Sequence, residues 1–377
     1  MPDGLSEQEG ADATHHTLLL HADLHAHPQA ARHAIAQAAD LLRDGRLVAF
    51  PTETVYGLGA DASNADAVAS IFAAKARPYS DPLIVHIADI TWLDRVASDI
   101  SPQARRLAER CWPGPLTLVL PRSANIPSIV AAGGATVGVR LPDHPVALAL
   151  IKAAGRPIAA PSANRFMHTS PTTAAHVLTD LDGRIDCVLD GGPCAVGVES
   201  TVLDLTVNPP RILRPGGVTL EALRALLPDI QEPLKRSTPE APHQSAPTDD
   251  EIARAPGQLA RHYAPRTPLI VFDATGDAGL AAVVAEAQRA LDEGQRVGAL
   301  LCDEEAPALD ALGARVERLG PADDLAQITR RLYAALRALD DGSCDLLLAH
   351  TFGRHGLALA LEDRLRRAAM GGTLRPI

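Results

Sequence analysis

One stretch constrains this chain more than any other: Phe50-Pro51-Thr52-Glu53-Thr54-Val55-Tyr56-Gly57-Leu58-Gly59. It closes the apolar run 47–50, which has the length and character of a buried strand. Proline ends the run. Two hydroxyls, a carboxylate and a phenol follow, and then two glycines, which tolerate backbone angles that other residues avoid. A strand that stops in a polar, glycine-containing loop is where an α/β sheet holds a small ligand, at the carboxyl edge. The same pattern also suits an ordinary strand-to-helix connection facing water, so the rest of the chain has to decide.

The rest of the chain has the rhythm of an α/β protein. Helical patterns run over 31–43, stopped by Gly45, and over 64–75, where Asn64 suits an N-cap and Ala67, Val68, Ile71 and Phe72 form the apolar stripe. Further helices are predicted at 102–111, 144–154, 171–181 and 220–227. Strand-like runs lie at 82–87, 116–120, 136–140, 157–160, 187–190, 200–205 and 211–213. Helices and strands alternate at first and strands cluster later, which predicts a twisted mixed sheet with helices packed on it.

Residues 228–256 break the pattern, with six prolines and little apolar periodicity, as a linker does. From 268 the rhythm resumes: strands at 269–272, 296–301, 315–319 and 344–349, helices at 279–292, 323–339 and 357–370. These are the proportions of a small Rossmann-like α/β domain. Residues 1–30 read as a disordered leader rich in histidine (His15, His16, His21, His25, His27). A metal-binding tract is conceivable there, but only His21 and His25 share a helical spacing and no cysteine completes a ligand set. The organisation expected is a leader (1–30), a first α/β domain (31–228), a linker (229–267) and a C-terminal domain (268–377).

Composition narrows the function. Aromatic residues are 3% of the 377, so the cores must be aliphatic. No apolar run approaches the ~20 residues of a membrane span, and the acidic N-terminus is not a secretory signal. The five cysteines (Cys111, Cys187, Cys194, Cys302, Cys344) form no CxxC pair, which argues against structural zinc and fits a reducing cytoplasm. Net charge is −11, yet residues 31–230 hold 18 basic against 19 acidic side chains. Neither part is the basic domain that non-specific nucleic-acid binding favours. The chain lacks GxxxxGK[ST], HExxH and GxSxG, which removes P-loop, zincin and simple esterase readings. Gly57-Leu58-Gly59-Ala60-Asp61-Ala62 matches GxGxxA, but it begins too far beyond the strand end for a dinucleotide turn.

Polar residues punctuate the apolar runs downstream. Lys75 and Arg77 make a compact cationic corner suited to phosphate oxygens, although Lys75 also suits a helix C-terminus. Only three lysines stand in the chain against 32 arginines. His86 sits inside an apolar strand, a common place for a core histidine. Arg140 ends a strand, where a planar fork can hold a carboxylate. Ser162 and Asn164 mark a strand-to-loop corner. Ser170 precedes Pro171 as an N-cap, and Glu199-Ser200-Thr201 and Arg214-Pro215-Gly216 repeat the strand-edge design.

Together these segments resemble the YrdC-like threonylcarbamoyl-AMP synthases. The matching stretches are PTETVYGLG (51–59), KARP with DPLIVHI (75–87), WPGPLTLVL (112–120), TVGVRLPDHP (136–145), APSAN (160–164), GVESTV (197–202) and ILRPGG (212–217), in the family's order. APG (255–257) and HYAP (262–265) are similar to the segment preceding the extra C-terminal domain of the long form. The resemblance implies a YrdC-like catalytic domain that condenses L-threonine, bicarbonate or CO2, and ATP with Mg2+. The products would be threonylcarbamoyl-AMP and pyrophosphate. It implies a downstream threonylcarbamoyl transferase complex that modifies tRNAs reading ANN codons.

The resemblance places L-threonine near Thr54, His86, Arg140, Ala160 and Ser200. It places ATP near Arg77, Asp81, Thr136, Ser162, Ser170, Arg214 and Tyr263, with Lys75, Arg77 and Arg214 offsetting charge on the departing pyrophosphate. Asp81 departs from the amide common in relatives, and a carboxylate there should repel a triphosphate. Residues 229–267 are expected to fold over the nucleotide as a strap. An RNA-binding module of the same fold is the alternative, weakened by the near-neutral charge of 31–230.

Overall fold

A computed structural model describes residues 16–233, 263–369 and 374–377. The start of the leader and most of the linker, with APG (255–257) and His262, lie outside the described residues. Ten strands form one mixed sheet: β1 (Leu18–His21), β2 (Val48–Phe50), β3 (Gly57–Asp61), β4 (Ile84–His86), β5 (Leu116–Pro121), β6 (Thr136–Arg140), β7 (Ile158–Ala159), β8 (Cys187–Asp190), β9 (Thr201–Asp204) and β10 (Arg211–Arg214). Their order is β1-β8-β2-β3-β7-β4-β6-β5-β9-β10. Pairs β4/β6 and β5/β9 are parallel, whereas β2/β3, β4/β7 and β5/β6 are antiparallel.

Alternate residues of the short central strands feed two cores, as the two-residue strand period requires. Val48 and Phe50 pack with the helices Pro28–Arg43 and Pro145–Ala154. Ala49 joins the opposite core, built with the helices Ala65–Lys75, Pro102–Cys111 and Ala174–Leu181. Asn64 caps the first of these by accepting from the amides of Asp66 and Ala67.

Three expectations are corrected. Leu18–His21, assigned to the disordered leader, is an edge strand parallel to β8. Its leucines are flanked by polar residues, too short a run to register as a strand. Gly57–Asp61, read as loop, is a strand antiparallel to β2, so the GxGxxA match lies in extended chain and opens no helix. Ser170 is not an N-cap: the helix begins at Ala174, and the Thr173 hydroxyl accepts from the His176 amide. Pro171 has no amide to be capped, and two more residues pass before the chain turns helical.

The C-terminal domain is a parallel sheet of β11 (Leu269–Phe272), β12 (Val297–Leu301), β13 (Arg315–Arg318) and β14 (Leu346–His350), ordered β11-β14-β12-β13. The helix Gly276–Asp292 covers one face. The helix Leu325–Leu339 covers the other, and the core on that face takes in Val55 and Val198 of the first domain together with Tyr263. The two domains therefore share a hydrophobic core. The tightest point is Gly197, at φ +84°, where an added Cβ would stand 2.4 Å from the Arg330 Cα. Only glycine gives the backbone of the helix Leu325–Leu339 this approach.

Candidate active site

Five strand ends and the start of β9 line one cavity. The loop after β2 forms one wall. Its shape comes from Thr52, whose hydroxyl oxygen accepts from the amides of Thr54 and Val55 at 3.2 and 3.3 Å, lies 2.8 Å from the Thr54 hydroxyl, and donates to the Val55 carbonyl at 2.7 Å. Tyr56 faces the other way, its phenol donating to the Gly192 carbonyl at 2.8 Å. Burial and the nearby Asp190 charge push that phenol's pKa well up.

His86 and Arg140 are register partners on the parallel strands β4 and β6, so both end beside the cavity. Burial first, and the Arg140 charge second, push the His86 imidazole down to about 3. It is neutral at physiological pH, and its Nδ1 is buried with no hydrogen-bond partner among the described residues. Arg140 is itself buried, 2.7 Å from Glu53 Oε2. Ser200, at the start of β9, lies 2.7 Å from the Thr117 hydroxyl. From β10, Arg214 Nη2 donates to the Ser200 carbonyl at 3.0 Å and its hydroxyl at 3.2 Å.

Of the residues singled out from the sequence, Thr54, His86, Arg140, Ala160, Ser200, Arg77, Ser162, Arg214 and Tyr263 all line this one cavity. The other four lie outside its lining. Lys75 sits behind the wall, 1% exposed, its ammonium donating to the carbonyls of Ser162 and Asn164. It clamps the corner that carries Ser162, so the structure gives this side chain a positioning contact in place of the phosphate contact expected. Asp81 is buried with its carboxylate 2.9 Å from Arg77 Nη2. The expected repulsion of a triphosphate is thereby offset by an adjacent guanidinium. Thr136 begins β6, whereas Arg140 ends it, so four residues of extended chain separate Thr136 from the cavity end. Ser170 is buried one layer out, donating to Glu199 Oε1 at 2.6 Å.

Sequence reasoning missed Glu199 as a wall residue. It also missed the two C-terminal-domain side chains that hold it. Tyr333 donates to Glu199 Oε2 at 2.9 Å, and Arg364 Nε donates to the same oxygen at 2.6 Å. Burial raises the pKa of this carboxyl, but Arg364 and Arg214, with the Ser170 and Arg364 hydrogen bonds, outweigh it and hold it at about 2. Glu199 had a local signal, its place beside Ser200 in GVESTV; Arg364 had none, being one arginine in a charged helix.

Tyr263 closes the cavity. Its carbonyl accepts from the Thr169 hydroxyl at 3.3 Å, the Ala264 amide donates to the Met167 carbonyl at 3.0 Å, and Arg364 stands 5.1 Å over its ring. The end of the linker is thus pinned between the two domains.

The fold and this cavity define a YrdC-type α/β enzyme domain with three arginines in the cavity lining. Residues 40–216 match the family model for Sua5, YciO and YrdC, described as telomere recombination. Residues 218–370 match the model described as the threonylcarbamoyl-AMP synthase C-terminal domain. A threonylcarbamoyl-AMP synthase of Pyrococcus abyssi is 44% identical over 88% of this chain and 93% of its own. One of Bacillus subtilis is also 44% identical, over 90% of this chain and 94% of its own. The crystal structure of P. abyssi Sua5 complexed with L-threonine superposes with a TM-score of 0.83 at 40% identity, covering 96% of this chain and 99% of that one. The chain belongs to the threonylcarbamoyl-AMP synthase family, in the form that carries the Sua5 C-terminal domain.

Proposed function

We propose that this enzyme condenses L-threonine, bicarbonate or CO2, and ATP into threonylcarbamoyl-AMP and pyrophosphate. The observation that carries the reading is the set of groups gathered round one cavity. Arg140, the neutral His86 and the small hydroxyls of Thr54 and Ser200 line it. Arg77, Arg214 and the Ser162 corner line it with them, Arg214 in contact with Ser200. The first group suits the carboxylate and hydroxyl of a small amino acid, and the second suits phosphate oxygens. The relative solved with L-threonine supports threonine as one of the substrates.

In this reading Arg140 takes the threonine carboxylate, while Thr54 and Ser200 hydrogen-bond its polar groups. The amino group, deprotonated to its neutral form, attacks the carbon of CO2 and releases a second proton to solvent, giving the carbamate of N-carboxythreonine. A carbamate oxygen then bonds to the α-phosphorus of ATP as the bond to pyrophosphate breaks. Arg77 and Arg214 offset charge on the departing oxygens, and Lys75 holds the Ser162 corner in place. The chain's contribution is positioning and electrostatic stabilisation, without a covalent nucleophile. Mg2+ enters with ATP as part of the substrate, coordinated by phosphate oxygens and water as is usual for this ion.

The product is a mixed anhydride, to be consumed by a transferase complex acting on tRNA. No helix among the described residues is long and apolar enough to cross a membrane. The five cysteines are unpaired thiols, which fits a reducing compartment such as the cytoplasm. The test is pyrophosphate release from ATP with bicarbonate, with and without L-threonine, and with serine as control. Threonine-dependent release with an adenylate of the expected mass supports the reading. Threonine-independent release overturns it, and no release with tight, salt-sensitive tRNA binding favours an RNA-binding module instead.

A further inference from the structure

Glu199 presents an ionised carboxylate to the cavity assigned above to a polyanion. Both of its oxygens are engaged, Oε1 by the Ser170 hydroxyl at 2.6 Å and Oε2 by the Tyr333 phenol at 2.9 Å and Arg364 Nε at 2.6 Å. The cation that touches it belongs to the other domain. Arg364, on the helix Ala358–Ala368, is 1% exposed and held in turn by Asp363 at 2.5 Å. Its guanidinium also stands over Tyr263, which lines the cavity. Arg214, which shares the cavity wall, already acts on Glu199 through its charge; without Arg364 the carboxylate would draw on Arg214 more strongly and compete with phosphate for it.

We propose that Arg364 is a positioning residue for the nucleotide: by holding Glu199, the C-terminal domain keeps the phosphate side of the cavity cationic. The domain therefore contributes to ATP affinity through a charge that never touches ATP. The inference rests on the reading that ATP occupies this side of the cavity. It assigns the C-terminal domain an electrostatic role alongside its packing role. A purely structural Arg364 would alter the amount of folded enzyme; an electrostatic one alters the nucleotide affinity of the folded enzyme.

The experiment compares the full-length enzyme with R364Q, E199Q and E199Q/R364Q, measuring KM for ATP, KM for threonine, kcat and ATP binding by calorimetry. R364Q leaves Arg214 as the cation that compensates the Glu199 carboxylate, in competition with the phosphates, so its KM and Kd for ATP rise about tenfold or more. Its KM for threonine moves much less. Replacing Glu199 as well removes the offending charge, and E199Q/R364Q recovers most of the lost ATP affinity. If R364Q fails to fold, recovery of folding and ATP binding in the double variant supports the proposal equally. An R364Q enzyme with unchanged ATP affinity, or a double variant that binds ATP as poorly as R364Q or fails to fold, overturns it. The unaltered enzyme run in parallel separates the two levels: if it makes no adenylate, the functional reading fails, whatever the variants do.

Discussion

Replacing Lys75 by methionine distinguishes a lysine that works on phosphate from one that holds the scaffold. The ammonium donates to the carbonyls of Ser162 and Asn164, and the side chain is 1% exposed. Methionine fills much of the same volume but donates nothing, leaving two buried acceptors without their partner. Each charged hydrogen bond of this kind contributes about 1.5–3 kcal/mol. Part of that is returned, because burial already drives the Lys75 pKa well down and methionine carries no charge to desolvate. The net expectation is a loss of roughly 2–4 kcal/mol, a large fraction of a domain's stability. Since about 1 kcal/mol moves the midpoint of a domain this size by about 2–4 °C, calorimetry should show the first domain melting roughly 5–15 °C lower. Activity measured well below that midpoint should fall mainly through a higher KM for ATP, because the Ser162 corner is displaced. If K75M melts with the wild type and loses kcat by orders of magnitude, the ammonium acts on the chemistry and the positioning argument is wrong.

Three further outcomes follow from the geometry. R140K keeps the charge but loses the planar fork that meets Glu53 and that the proposed function assigns to the threonine carboxylate, so KM for threonine should rise about tenfold or more with little change for ATP; equal rises for both substrates would contradict that assignment. His86 is held neutral down to about 3 in the folded state, against an ordinary value of 6.5. Between those values the unfolded chain binds more protons, so this residue makes stability fall as pH drops, by up to about 1.4 kcal/mol per pH unit. Denaturation of H86Q between pH 6 and 4 should show a shallower decline than wild type, and parallel curves would refute it. G197A forces a Cβ against the backbone of Arg330 at a positive φ. It should lower thermal stability by about 1–3 kcal/mol and loosen the domain contact, read as faster proteolysis of the linker; an unchanged melt would count against the shared core.

Most of the elements were legible in the sequence by itself, and the family resemblance it carries named nine of the cavity's wall residues. Apolar runs of strand length, the N-cap at Asn64 and the polar breaks after Phe50, His86, Arg140 and Ala160 are local signals, set by what each segment must bury. The strands β2 and β7 run opposite to β4 and β6, so these polar breaks mark strand ends at two edges of the sheet, and only the fold brings them round one cavity. What failed also failed for physical reasons. Gly57–Asp61 reads as a turn because it is rich in glycine, and only pairing with β2 makes it a strand. Lys75 resembled a phosphate ligand because a sequence records a charge but not the direction it faces; the fold turns it onto two carbonyls. Thr136 and Arg140 belong to one motif, yet an extended strand places them at opposite ends. Tyr333 and Arg364 lie 134 and 165 residues from Glu199, and no local pattern can announce that contact. Tertiary packing decided it, through a glycine that lets one domain's helix touch the other's loop, and so joined the C-terminal domain to the wall of the site.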